Sequence, residues 1–401
     1  MTNNNKIINL NAKSAILAGC LISAFGATLF NILPLFLGSV QDSLGFDDQQ
    51  LGLITSAYFT GFTLSTISAY FWVRKFDWRK VSVMLALATL LVCGLLIVAS
   101  SYTAYLALLV LLGASTSAIY AIGTTYLGDT DNPARSYGFK IGTEAGLGAL
   151  LLFLLPPFVV AQWGLQGLLY SMLGVFAVLA LSIVWLPAKG IKDSEAVSHI
   201  EGQSGVPLLP IVLSLIAFFI FFAGISALWA FIERIGNDYG FAGEDVGLAL
   251  SASLVVAMGG SFLAAALGDR FGFFKPVLAA LVVTVVAMLA LNRTEFIYYF
   301  AGASLFALAY GFALPMQVTI VSCFDTKGEY VVLTAVAIAL GGIVGPAVAG
   351  FLKSPDSNSS ILILTVVAVA VSVAIYGFVF HYARQHHLKD QQNLQPSESP
   401  F

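Results

Sequence analysis

Charged residues are scarce along the whole chain. Only 10% of the 401 residues are Asp, Glu, Lys or Arg, whereas 59% are hydrophobic. Soluble domains carry about 25% charged residues. Because the deficit runs from end to end, a single membrane anchor on a soluble domain does not account for it. The composition therefore predicts a protein that lies mostly within a lipid bilayer.

The residues that build metal and catalytic sites are also few. The chain has three cysteines and four histidines, with no metal-ligand spacing, no phosphate-binding loop and no Ser-His-Asp arrangement. Cys20, Cys93 and Cys323 fall inside apolar segments, which predicts reduced thiols. No basic block points to nucleic acid. We expect no enzyme activity, no cofactor and no resident metal.

Twelve apolar runs are each long enough to cross a bilayer, which takes about 20 residues. They cover about residues 14–39, 49–72, 78–99, 103–127, 135–160 and 164–186, and then about 207–234, 243–268, 274–292, 295–323, 328–352 and 360–383. This pattern predicts an all-α polytopic membrane protein with two six-helix bundles. The bundles are 1–187 and 207–384, joined by a polar linker, 188–206, and followed by a polar tail, 385–401, predicted to be disordered.

The positive charges give this arrangement an orientation. With the N-terminus in the cytoplasm, fifteen of the 18 Lys and Arg residues fall on the cytoplasmic side, and only Arg234, Arg293 and Lys353 fall outside. Lys and Arg collect on the cytoplasmic side of membrane proteins. We therefore expect both termini inside. The short loops favour a plasma membrane, most simply a bacterial inner membrane, and nothing requires an oligomer, so we expect a monomer.

The two bundles are related by an internal repeat. A shift of 195 residues places Gly45-Phe46 on Gly240-Phe241 and Ser56 on Ser251. Six spans per half make the repeat parallel, with its axis along the membrane normal. Halves related in this way can rock about a site between them.

Two loops carry patterns that belong with this architecture. Gly268-Asp269-Arg270-Phe271-Gly272, followed by Lys275, is the clearest match to G-x-x-x-D-R-x-G-[RK]-[RK]. The first-half counterpart, residues 73–80, keeps the basic residues but lacks the Gly and the Asp-Arg pair. Residues 129–138 are similar to D-x-x-P-x-x-R-G. With twelve helices in two halves, the chain resembles the major facilitator superfamily over about residues 14–384.

The resemblance implies a cytoplasmic gate in these loops. Asp269 could accept hydrogen bonds from the end of a neighbouring helix and latch the inner side shut. The other candidates for this gate are Arg270, Arg74, Asp129 and Arg135. The alternative is that the basic residues serve only to set the topology.

Ionisable groups inside a membrane are candidates for function, because each costs about 2.5–3.5 kcal/mol to insert. Glu144 lies about ten residues into the fifth predicted helix, one turn after Lys140. Burial disfavours the charged form of a carboxyl group, which suits a proton carrier. The alternative is a structural Lys140–Glu144 pair. On another face, Gly138, Gly142 and Gly146 form a ridge that predicts close helix packing.

The seventh predicted helix offers a second pair near its outer end. Glu233 is a candidate for proton coupling, and the planar fork of Arg234 is a candidate for binding a carboxylate or phosphate. The alternative places both among lipid headgroups.

Polar and aromatic side chains elsewhere in the helices could line a substrate cavity, although each could equally serve packing or the lipid belt. Two of them lie close to Pro34 and Pro315, which free backbone carbonyls. The candidates for substrate binding are Asn31, Tyr58, Tyr120, Trp229, Tyr310 and Gln317.

The resemblance implies a secondary transporter that works by alternating access, and Glu144 favours proton-coupled symport. Lys140 and Arg234 favour a small organic anion or zwitterion. A rival is a proton-coupled exporter of amphipathic compounds, because Gly341-Gly342-Ile343-Val344-Gly345-Pro346 resembles an exporter signature, although that signature belongs in the fifth helix. Another rival is a non-transporting receptor on the same fold.

Overall fold

The computed structural model describes residues 11–131, 133–189, 208–267, 274–325, 330, 333–354 and 357–394. These residues form thirteen α-helices. The first half contains α1 (Lys13–Asn31), α2 (Leu33–Leu44), α3 (Asp48–Trp72), α4 (Trp78–Val98), α5 (Tyr102–Gly128), α6 (Pro133–Leu155) and α7 (Ala161–Ala180). The second half contains α8 (Leu208–Asp238), α9 (Gly243–Leu267), α10 (Phe274–Leu291), α11 (Phe296–Phe324), α12 (Leu333–Leu352) and α13 (Ser359–Leu394).

Ten helical segments of the described chain are long and apolar enough to cross a membrane. One of them, Arg135–Trp185, has 51 residues and contains a break at Gly164, whose φ of 54° suits glycine. The more polar α3 falls outside this group, but it packs within the bundle against α5 and α12. With α1 and α2 as one broken span, every predicted apolar run corresponds to helix, and the all-α polytopic fold is confirmed.

Prolines interrupt the regular α-helix in two of the spans and lie inside others. The first span divides at Ile32 because Pro34 cannot donate to the carbonyl of Phe30. Pro156 and Pro157 open a π-helical turn, Pro156–Val160, between α6 and α7. Pro315 lies inside α11. Each proline leaves a carbonyl four residues earlier that another group must satisfy.

Successive helices run in opposite directions between two ends of the helical bundle, which we call the linker face and the hairpin face. The linker face contains residues 73–77, 129–131 and 186–189; there the amide of Trp78 donates to the Ala188 carbonyl at 2.8 Å. The hairpin face contains residues 45–47, 99–101, 239–242 and 292–295; there the rings of Phe46 and Tyr102 lie 5.7 Å apart. The predicted linker falls almost wholly outside the described residues.

The two halves meet along α3–α12, α6–α9 and α2–α8. Gly52 approaches the Pro346 carbonyl, and the hydroxyl of Ser56 donates to the Ile343 carbonyl at 2.5 Å. The repeat-related contacts follow the same plan: Gly247 lies against Leu152 and Pro156, and Ser251 donates to the Ala149 carbonyl at 2.8 Å. The internal repeat therefore appears as two equivalent interfaces.

The last helix continues to Leu394, beyond the boundary predicted at residue 384. Residues 381–394 are rich in Ala, Arg, Gln, Leu and Lys, which are good helix formers. The disordered tail was predicted from the polarity of these residues, and that prediction did not take their helix propensity into account.

Candidate functional site

A charged pair on α6 contacts α5 inside the first half. The Lys140 ammonium lies 2.9 Å from Oε1 of Glu144, one helical turn away, and it donates to the Tyr120 hydroxyl at 2.7 Å. The same ammonium lies 4.2 Å from the centre of the Tyr120 ring, a cation–π distance. The two charged side chains are 7% and 14% exposed. The structure therefore brings three predicted residues together.

Helix α1 completes this group. The Ser23 hydroxyl donates to Oε1 of Glu144 at 2.5 Å, and Asn31 Nδ2 donates to the Glu144 backbone carbonyl at 2.9 Å. We refer to Ser23, Asn31, Tyr120, Lys140 and Glu144 as the central cluster. Sequence reasoning missed Ser23 because a hydroxyl in an apolar helix usually bonds its own backbone. Its spacing of two turns from Asn31 was the available signal.

Aromatic rings extend from the central cluster. Phe62 lies 5.9 Å from the Tyr120 ring and 6.0 Å from the ring of Tyr58. Tyr58 is itself fully buried, so it packs against Phe62 and does not line an open space. Phe30 and Phe59 form another edge-to-face pair at 5.9 Å.

The remaining predicted lining residues lie in the second half. The indole N–H of Trp229 donates to the Phe30 carbonyl at 3.0 Å, which joins the halves. Tyr310 is half-buried, with its ring 5.5 Å from that of Phe306. Gln317 is fully buried and accepts from the Tyr376 hydroxyl at 3.1 Å. Gln317 is therefore engaged within the packing of its own half.

The predicted pair on α8 lies at the hairpin face. Arg234 forms ion pairs with Asp42 of α2 at 3.3 Å and with Asp238 at 3.2 Å. Glu233 is 7% exposed and accepts from Asn237 Nδ2 at 2.9 Å. Both line a cavity of about 400 Å³ between the halves. Arg234 thus already has protein carboxylates as partners.

A third ion-pair group joins the halves at the same face. The ammonium of Lys353, which follows α12, lies 3.2 Å from Asp48 of α3 and 3.3 Å from Asp238. Together with Arg234 and Asp42, these side chains form the hairpin-face ion pairs. Sequence reasoning missed Asp42, Asp48, Asp238 and Lys353 because charges at a membrane edge ordinarily pair with solvent or headgroups.

The gate candidates that the structure describes lie at or beside the linker face. Arg74 binds Asp129 through two hydrogen bonds of 2.9 and 3.0 Å, and these raise the pKa of the guanidinium. Both residues belong to the first half, so this pair joins two loops of one bundle. The guanidinium of Arg135 lies 5.5 Å from the Phe139 ring centre. Asp269 and Arg270 fall outside the described residues.

Comparison with known proteins identifies the family. The sequence matches the family described as Major Facilitator Superfamily over residues 16–322 and 214–400. The chain belongs to the major facilitator superfamily. It is therefore a multi-pass membrane transporter and not an enzyme. Within the described residues, no group of three or more His, Cys, Asp or Glu is placed to hold a metal ion.

Solved structures of superfamily members share the fold. The nucleoside transporter NupG aligns with a TM-score of 0.73 at 13% identity, over 91% of this chain and 99% of that chain. A bacterial homologue of the human lysosomal transporter Spinster, in an inward-facing and unoccupied conformation, aligns at 0.70 and 15% identity, over 91% and 96%. No curated protein sequence matches the chain.

Proposed function

We propose that this superfamily member is a proton-coupled symporter of a small zwitterionic solute, with the central cluster as its substrate site. The observation that carries the proposal is the Lys140–Glu144 pair, with its opposite charges 2.9 Å apart inside a membrane bundle. In the proposed orientation, both termini and the linker face lie on the cytoplasmic side of a plasma membrane.

The pair favours a solute that carries both charges. A carboxylate of the solute could replace Glu144 at Lys140 while its ammonium replaces Lys140 at Glu144. A solute with a single charge would leave one protein charge buried without a partner, which costs several kcal/mol. Because Lys140 and Arg234 are both paired with carboxylates, a simple organic anion is less well supported.

The contacts between the halves support an inward-facing state. Their ion pairs and the Gly52 and Gly247 contacts lie towards the hairpin face. The Spinster homologue provides an inward-facing example of the same fold. A nucleoside, the solute class of NupG, is the competing substrate class, because aromatic rings surround the cluster.

The exporter alternative has less support. Gly341 and Gly345 of the glycine-proline segment lie against the backbone of α8 at Phe219, Phe222 and Ala223. Close helix packing therefore accounts for these glycines. A non-transporting receptor would be favoured if the polar groups faced lipid. Glu144 instead accepts a hydrogen bond from Ser23 of α1 within the bundle.

The test is uptake into proteoliposomes of labelled zwitterions, organic anions and nucleosides, with and without an inward proton gradient. We expect gradient-driven uptake of a zwitterion that Lys140→Gln and Glu144→Gln each reduce by about tenfold or more, because each variant leaves a buried charge unpaired. Glu295→Gln, at an exposed position on the hairpin face, is the control. Equal uptake by wild type and both variants would refute the substrate site.

A further inference from the structure

Among the described residues, the buried carboxyl group of Glu233 forms no ion pair. Its Oε1 accepts from Asn237, but among the described residues Oε2 has no hydrogen-bond partner. Glu144 differs, because Lys140 and Ser23 both contact its Oε1. The two membrane carboxyls are therefore not equivalent: Glu144 has the partners that a carboxylate requires, and Glu233 does not.

The group that covers Glu233 is a glycine from the other half. The carboxyl lies against Gly38 of α2, and a methyl group at position 38 would collide with both of its oxygens. Gly38 belongs to the first bundle and Glu233 to the second. This contact therefore exists only while the halves are together at the hairpin face.

Charged groups surround this contact but are engaged elsewhere. Arg234 pairs with Asp42 and Asp238, and Lys353 pairs with Asp48 and Asp238. From α11, the Tyr299 hydroxyl donates to the Ile232 carbonyl at 2.9 Å. Glu244 of α9 lines the same cavity and is exposed. Among the described residues, the titratable and charged groups near Glu233 are thus Asp42, Arg234, Asp238, Glu244, Tyr299 and Lys353.

We propose that Glu233 is the proton-binding residue of the transport cycle, and that α2 closes over it only when it is protonated. A carboxylate buried against a CH₂ group, without a cation or a second donor, is strongly disfavoured relative to a hydrated one. The neutral acid does not carry this penalty. Deprotonation therefore favours separation of Gly38 from Glu233 and entry of water.

This inference rests on the proposed proton coupling and deepens it. A proton bound from the hairpin face closes that face, and the solute site then opens at the linker face. The closed state holds one more proton than the open state. The ratio of closed to open molecules therefore falls by up to about tenfold for each unit of rising pH.

Accessibility of the covered surface tests the proposal without a transported solute. Ser39→Cys, in a protein whose three native cysteines are replaced by alanine, places a thiol in the cavity wall beside Gly38. Its labelling rate with a maleimide, in detergent-purified protein, is divided by that of Ser100→Cys on the exposed hairpin face. The ratio removes the intrinsic pH dependence of thiol chemistry.

We expect this ratio to rise from mildly acidic to mildly basic pH, by up to about tenfold per unit. Glu233→Gln should hold the ratio low at every pH, because the amide is neutral like the protonated acid. Glu244→Gln should keep the wild-type dependence. A flat wild-type profile, or a pH dependence that survives in Glu233→Gln, would overturn the proposal.

A second measurement uses unaltered protein, so it does not depend on the folding of a variant. A hydrophobic carbodiimide reacts with protonated buried carboxyls, and mass spectrometry locates the adduct. We expect modification of Glu233 and not of Glu144; modification of Glu144 with Glu233 left intact would contradict the assignment. Gradient-driven uptake by Glu233→Gln at the wild-type rate would also overturn it, while leaving the proposed function standing.

Discussion

At the scale of single residues, carbonyl groups that lose their helical donor to a proline accept hydrogen bonds from distant side chains. Pro34 cannot donate to Phe30, and the indole of Trp229 donates to that carbonyl instead. Pro315 cannot donate to Gly311, and the hydroxyl of Ser261 takes that carbonyl at 2.9 Å. The first contact joins the two halves and the second lies within one. Each proline therefore leaves one backbone carbonyl without its helical donor, and a side chain distant in the sequence supplies the hydrogen bond instead.

The Trp229→Phe variant tests the first of these hydrogen bonds. Phenylalanine retains an aromatic ring but removes the side-chain donor of the Phe30 carbonyl, at a cost of about 1–3 kcal/mol. We expect a lower midpoint of thermal unfolding in detergent. Trp163→Phe, at an indole that is 61% exposed, should leave the midpoint unchanged. Equal midpoints for wild type and both variants would show that water replaces the donor.

At the scale of one helix, the glycine ridge of α6 has an unexpected environment. A methyl group added at Gly138, Gly142 or Gly146 would meet no neighbouring atom within 4 Å, so the prediction of close packing there is wrong for this state. By helical spacing the ridge continues the face of Ala149, which accepts the bond from Ser251 of α9. The ridge is therefore the surface that α9 would meet if the linker face closed.

Replacing the middle glycine should block that closure. Gly142→Leu places a bulky side chain where the present state has space, and leucine favours helix over glycine by about 1 kcal/mol. We expect a protein that remains folded but has lost most of its transport in proteoliposomes. Gly174→Leu on α7, where the surroundings are equally open, should transport normally. Normal uptake by Gly142→Leu would mean that α9 never approaches the ridge.

At the scale of the whole molecule, two sets of contacts hold the halves together at the hairpin face. The Gly52–Ser56 and Gly247–Ser251 contacts repeat each other across the internal symmetry. The ion pairs do not: Lys353–Asp48 and Arg234–Asp42 both use cations of the second half and carboxylates of the first. The symmetric contacts can serve as pivots, whereas the ion pairs favour one closed face.

The two ion pairs should differ in strength. The Lys353 and Asp48 side chains are 3% and 18% exposed, whereas Arg234 and Asp42 are 29% and 62% exposed. Exposed pairs contribute about 0–1 kcal/mol. Asp48→Asn should therefore raise labelling of the Ser39→Cys reporter more than Asp42→Asn does. Asp245→Asn, exposed near the same face, is the control, and a larger effect of Asp42→Asn would reverse this ranking.

The sequence by itself determined the helices, the two-bundle architecture and the family, because apolar length and the 195-residue repeat are properties of consecutive residues. It also made Lys140 and Glu144 candidates for function, since an ionisable residue inside an apolar run is visible without a fold. Loop patterns made Asp129 and Arg74 candidates for a gate.

Only the tertiary structure decided which partner each polar group has. Ser23 lies 121 positions from Glu144, and Trp229 lies 199 positions from the carbonyl that it satisfies. No local pattern encodes such pairs, because they depend on how helices from separate parts of the chain pack. The open surroundings of the α6 ridge and the glycine over Glu233 depend further on the relative position of the two folded halves, which no run of consecutive residues encodes.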